Sequence, residues 1–425
     1  MRKSWIITCL VNFCLAILMA IGLRSAYVLP SDFNYTFLLH AHSHTVMLGW
    51  CYLAVYTFIV ANFLPKEAQN NHKYSRLFWM TQLSVVGMSV TFPFTGYALF
   101  SIIFSTLHIL CSYYFVYQIF KDHKSISQIE TKILKTALIF MVISTTGVWF
   151  LGPIASTGAK DSPFYNTAIQ FFLHFQFNGW FILAVLALFI NNIQRLGISL
   201  SQKIFNKFFY NSIIGIVLTF GLPLSWFFNA TIFRTLNSFG LLFQLIGSIY
   251  LYKLVKPHFK IIFASLKPIT KLLFVFAFSC LFLKIIIQTT TLFPELAIAS
   301  HSVRNFTVGF IHLAMIGIVN SFLFAFITET KFYGNKNKLG DSGIIIFLIG
   351  FTVMETLLFN EGFRVFIGKG FHQSYFINIL VATIFIGIGL LLFIRSLIFN
   401  KKTDVYSDRL TTNSELKKKP NYNCN

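Results

Sequence analysis

Uninterrupted apolar runs of about twenty residues recur along this 425-residue chain, and no other feature restricts its fold as strongly. A run of that length, wound as a helix, crosses a hydrocarbon layer of about 30 Å, where each backbone must satisfy its own hydrogen bonds. In the first half the runs fall at about 5–23, 36–63, 77–100, 101–120, 133–152 and 163–190. In the second half they fall at about 208–230, 237–255, 272–292, 303–328, 343–360 and 374–396. The expected fold is therefore all-α and integral to a membrane, with twelve transmembrane helices within residues 1–400. The polar, basic stretch 401–425 is too poor in apolar residues to pack and is expected to be a disordered tail. Charged residues make up only 11% of the chain, which excludes a water-soluble fold. The opening Met-Arg-Lys followed by an apolar stretch resembles a signal peptide, yet the stretch is longer than a typical signal core and no A-x-A site follows. It is kept as the first span.

The formal net charge of +21 could point to nucleic acid, but the basic residues lie in short loops between apolar runs and form no soluble basic surface. Their distribution reads as topology. Lys and Arg accumulate in cytoplasmic loops of membrane proteins, and here 27 of the 34 fall at the two termini and in every second loop. The other loops hold Arg24, Lys160, Arg234, Arg304, Arg364 and Lys369, and Lys284 lies inside the ninth span. A multi-pass protein of the cell's inner membrane is expected, with both termini cytoplasmic and the bilayer, not nucleic acid, as partner. The six cysteines are scattered, and none forms C-x-x-C or C-x-x-C-H.

This orientation sorts the histidines by depth. His44 in the second span, His174 in the sixth and His312 in the tenth lie roughly 12–17 Å below the outer end of their helices. His108 in the fourth span is slightly shallower, and His301 and His372 sit on the outer side. The three sequences HTVMLG, HFQFNG and HLAMIG share one H-x4-G spacing, with their histidines 130 and 138 residues apart. A threefold repeat of four-helix units is the expected architecture. The glycine, lacking a Cβ, lets a neighbouring helix or a flat macrocycle approach. A lone intramembrane His can simply hydrogen-bond a carbonyl across a helix interface, but three at one depth and one spacing point to a functional interior, and neutral imidazole ligates Fe, Cu and Zn. His40 and His44, four residues apart, share a helix face, and His42 is expected to point away.

Twelve helices, cytoplasmic ends and His on helices two, six and ten resemble subunit I of the haem-copper oxidase and nitric-oxide reductase superfamily. The resemblance in topology covers nearly the whole chain. It implies a low-spin haem b clamped by His44 (or His40) and His312. It also implies a second-metal role for His174, whose His-Phe-Gln-Phe-Asn-Gly run is similar to a reductase motif with Asn178 in place of its acid. The seventh span reads FGLPLSWFF, with Leu222, Pro223 and Leu224 where the family has a His pair. Phe310 stands where the family has the proximal ligand of the catalytic haem. A normal oxygen or nitric-oxide reductase centre is therefore not expected. What remains is electron transfer or the handling of nitric oxide or oxygen, with a cytochrome or quinol as donor. HAHSHTVMLG is also similar to a motif of another polytopic haem- and copper-associated family linked to nitric-oxide response, minus its Glu.

Two alternatives stay open. A membrane oxidase without porphyrin would bind copper or iron through His40, His42, His44, His108, His174 and His301, and a transporter-like protein would carry no cofactor, with Pro93, Pro153 and Pro223 as the candidate helix breaks. Arg304 and Arg364 are candidate partners for haem propionates, because guanidinium matches carboxylate in a bidentate fork. Lys284 and Glu355, both in the outer half, are expected to pair with each other or with buried polar groups.

Overall fold

The computed structural model describes residues 2–160, 162–228 and 230–399; the tail 401–425 lies outside them. Twelve helices are long and apolar enough to cross a membrane. They are α1 (Lys3–Ser25), α2 (Tyr35–Phe63), α3 (His72–Thr95), α4 (Leu99–Asp122), α5 (Gln128–Ser156) and α6 (Pro163–Arg195). After these come α7 (Gln202–Phe227), α8 (Thr231–Ser265), α9 (Pro268–Leu292), α10 (Arg304–Thr328), α11 (Lys338–Phe366) and α12 (Tyr375–Phe399). An even number of crossings returns the chain to the side on which it began. Below, the side holding the Lys- and Arg-rich loops is called the basic side.

Apolar sequence places the helices well and their ends less well. The third helix stops at Thr95, and the break to α4 is made by Gly96, whose φ of +58° suits only a residue without Cβ. A Cβ at Gly96 would also lie 2.5 Å from the Phe37 ring. The Ser101 hydroxyl closes the turn, accepting from the Ala98 N–H at 2.9 Å and donating to the Gly96 carbonyl at 2.6 Å. In α7 the helix is interrupted at residues 219–220. Pro223 has no N–H for the Thr219 carbonyl, which accepts instead from Leu222 at 3.2 Å.

Helices α2, α6 and α10 form the centre: 83, 83 and 78% of their spanning stretches are buried, and no other span exceeds 56%. Each packs along the helix that precedes it in sequence, α1, α5 and α9. The remaining six form three hairpins, α3–α4, α7–α8 and α11–α12, and α1 lies against α12.

All three central helices change character at one position. A π-helical turn starts directly after His44 (Thr45–Tyr52), after His174 (Phe175–Phe181) and after His312 (Leu313–Asn320). Such wide turns are rare and shift the register of everything beyond them. On the basic side of each turn nearly every residue is buried, as in Ser321–Thr328, whereas on the other side of the histidine most are only half-buried. The core is thus close-packed in one half of the bilayer and open in the other.

Glycines set the packing within the π turns. A Cβ at Gly49 would lie 2.7 Å from Val85 and 3.1 Å from Asn12; at Gly179, 2.6 Å from Phe140; at Gly317, 3.0 Å from Cys280. In each case it is a neighbouring helix that uses the space. Side chains tie the turns as well: Asn12 donates to the Gly49 carbonyl at 2.9 Å, and Trp50 links α2 to α10 by donating to Asn320 at 3.1 Å. Gly49→Ala should therefore destabilise the protein by about 1–3 kcal/mol through overpacking. Gly152→Ala, with nothing within 4 Å of the new methyl, should be neutral or slightly stabilising. Denaturant titration of the two variants in detergent checks the pair, and equal midpoints would refute the packing argument.

Candidate functional site

The histidines at and above the inner end of the open half separate into three groups. Around α1, α2 and α10, the His42 ring places Nδ1 2.8 Å from the Ala16 carbonyl. His42 and Arg24 lie within electrostatic range of His312. His312 Nδ1 is itself buried with no hydrogen-bond partner among the described residues. His42 does point away from the face shared by His40 and His44, which meets Phe92 and Tyr97; what periodicity could not say is that the His42 face turns toward α1.

Arg24, read from sequence as a loop residue, belongs to the last turn of α1. Its guanidinium donates to the Ile379 carbonyl at 3.2 Å and to the Thr383 hydroxyl. Glu355, Tyr35 and Tyr375 are its electrostatic neighbours. A signal for it did exist, namely a basic residue at the apolar end of a span on the side otherwise poor in them. Arg304 lies over the Tyr35 ring at 5.4 Å, with Nη2 3.4 Å from its hydroxyl. Arg364 Nε lies 3.6 Å from Glu361, whose other contact is the His372 N–H at 2.8 Å. The two arginines thus stand on the same side of the bundle as Arg24, Arg304 sharing Tyr35 with it and Arg364 held by an acid.

The second group lies between α2, α3 and α4. His44 Nδ1 donates to the His40 carbonyl at 2.9 Å, and its ring packs 4.5 Å from Phe92 and 5.9 Å from Tyr97. His40 stands 4.7 Å from the same tyrosine ring. His108 meets Tyr52 edge-on at 4.7 Å, and its Nε2 is buried without a partner among the described residues.

The third group faces α7 and α9. His174 Nε2 donates to the Ile216 carbonyl at 2.8 Å, a cross-helix bond of the kind a purely structural histidine makes. Nearby, Lys284 donates to Gln288 at 2.7 Å and stands 5.4 Å from the Phe310 ring. A Lys284–Glu355 pair does not form: Lys284 uses the neutral Gln288 on its own helix, and both Glu355 oxygens are buried without a hydrogen-bond partner. On the base-poor side, outside the spans, His301 stacks on Trp226 at 4.9 Å, and burial there pushes its pKa down.

His42, His108, His174 and His301 are accordingly not neighbours of one another in a single cluster. Among the described residues no group of three or more His, Cys, Asp or Glu is placed to hold a metal ion. No protein-family model matches the chain, and no curated protein matches it either. Because Lys284 is buried against neutral partners, its ammonium gains little in return for lost hydration. Lys284→Met should leave stability unchanged or raise it by about 1 kcal/mol, as measured by thermal unfolding in detergent. A large loss would instead reveal an anionic partner.

Proposed function

We propose that this is a multi-pass inner-membrane protein, cytoplasmic at both ends, built on the three-unit plan of oxidase subunit I and holding one low-spin haem b between His42 and His312. The observation that carries the reading is the grouping of these two imidazoles with Arg24 at the level where the three central helices pass from half-buried to close-packed. A hydrogen bond to a carbonyl that fixes the second nitrogen orients an imidazole for ligation. The Ala16 carbonyl does this for His42, leaving its Nε2 lone pair available. His312 brings a nitrogen that nothing in the protein satisfies. Arg24, with Arg304 beside it across Tyr35, supplies positive charge for the carboxylates that a haem carries.

Haem b, when bound, supplies a one-electron couple. The recurrence of a π turn after His44, His174 and His312, each with a glycine against its neighbouring helix, favours three equivalent four-helix units. Where the family has its second, catalytic centre, this chain has Phe310 beneath Lys284, and His174 committed to the Ile216 carbonyl. Electron transfer from a cytochrome or quinol, or reversible handling of nitric oxide or oxygen, is therefore favoured over reductive turnover. The reading that copper or iron binds directly to the histidines loses support from their separation into three groups.

The test is a reduced-minus-oxidised visible spectrum of protein purified from haem-replete cells. A six-coordinate haem b spectrum is expected, falling at least about tenfold in His42→Ala and in His312→Ala and persisting in His44→Ala. A colourless wild-type preparation would overturn the proposal, and loss in His44→Ala with retention in His42→Ala would overturn the ligand assignment.

A further inference from the structure

Two creases between neighbouring helices open on the outside of the bundle. One, between α1 and α12, is walled by apolar groups such as Ile17, Leu18 and Leu391 and offers no polar anchor. The other, of about 490 Å³, lies between α3 and α4, and its two ends differ in chemistry. At the basic side it is bounded by Asn71, His72, Lys73 and Arg76, the first turn of α3. Toward the middle of the bundle it is floored by Met80, Leu110 and Tyr114.

The charges at the polar end are not equivalent. Lys73 is already engaged, donating to Gln118 at 2.9 Å and paired with Asp122. Arg76 and His72 are exposed, and among the described residues neither forms an ion pair. The start of a 24-residue helix adds its own positive end to the charge of Arg76. Asn71 already caps the helix start by accepting from the Lys73 N–H, so the cation left without an acid at this end is Arg76. The apolar end is equally unsatisfied from the standpoint of water, since Met80, Leu110 and Tyr114 are each about half exposed (47–54%) and face the hydrocarbon.

We propose that this crease is a binding site for one anionic phospholipid, its phosphate on Arg76, His72 and the first turn of α3, and an acyl chain laid over Met80, Leu110 and Tyr114. A free phosphate has no use for the apolar floor, and a zwitterionic lipid carries a cation that Arg76 repels. Position agrees with charge, because basic residues at this side of a membrane lie at headgroup level, where anionic lipid concentrates. The site is remote from His312 on α10 and stands whether or not a haem is bound.

The experiment is native mass spectrometry of the full chain in detergent, titrated separately with phosphatidylglycerol and phosphatidylcholine. Wild type should retain one phosphatidylglycerol at least fivefold more tightly than phosphatidylcholine. Arg76→Gln should abolish that preference without lowering the unfolding temperature of the lipid-free protein, because the side chain is exposed. Leu110→Trp, which fills the floor and leaves Arg76 in place, should also weaken retention. Undiminished selectivity in Arg76→Gln, equal retention of the two lipids by wild type, or displacement of the lipid by inorganic phosphate alone would each overturn the proposal.

Discussion

Close packing of three helices through half the thickness of the bundle is the constraint on which the rest of the structure depends. In hydrocarbon, apolar side chains gain nothing by leaving lipid for protein, so association rests on surface fit and on the few polar links available. Here the fit comes from Gly49, Gly179 and Gly317, which let α1 and α3, α5, and α9 into the π turns of the central helices. The Trp50–Asn320 bond adds a directional tie between α2 and α10. With that half fixed, most side chains in the other half of each central helix stay only half-buried.

The π turns connect this packing to the histidines. A π turn inserts one residue into the helical register, so the side chains before and after it face directions that a regular helix would not combine. In α2 this separates the face carrying His40 and His44, which meets Phe92 and Tyr97, from the buried stretch that follows. A carbonyl within the turn also becomes an acceptor for a side chain of another helix, as with Asn12 on Gly49. The histidine level is therefore both a mechanical boundary and a place where polar groups accumulate.

Much of this was legible in the amino-acid order. The twelve spans follow from hydropathy, the shared level of His44, His174 and His312 from counting residues, and the importance of the glycine five positions later from its missing Cβ. The gaps have a common cause. Arg24 was assigned to a loop because hydropathy places helix ends only approximately, and a single turn decides whether a guanidinium reaches α12. Lys284 was expected to meet either Glu355 at its own depth or a buried polar group, and azimuth, on which depth is silent, decided for the second. Lys284 turns to Gln288 on its own helix, while Glu355 senses Arg24.

What the sequence determined by itself is one-dimensional: how many times the chain crosses, which loops share a side, and how far along its helix each histidine lies. Those quantities depend on local composition and on the fixed rise of the helix, and no distant contact can alter them. Tertiary structure alone decided the neighbours of each imidazole, bringing His42 and Arg24 within electrostatic range of His312, setting His44 against Phe92 and Tyr97, and turning His174 to the Ile216 carbonyl. The reason is rotational. A helix in lipid is apolar on every side, so its azimuth is set by the steric fit of neighbours that lie scores to hundreds of residues away in the chain.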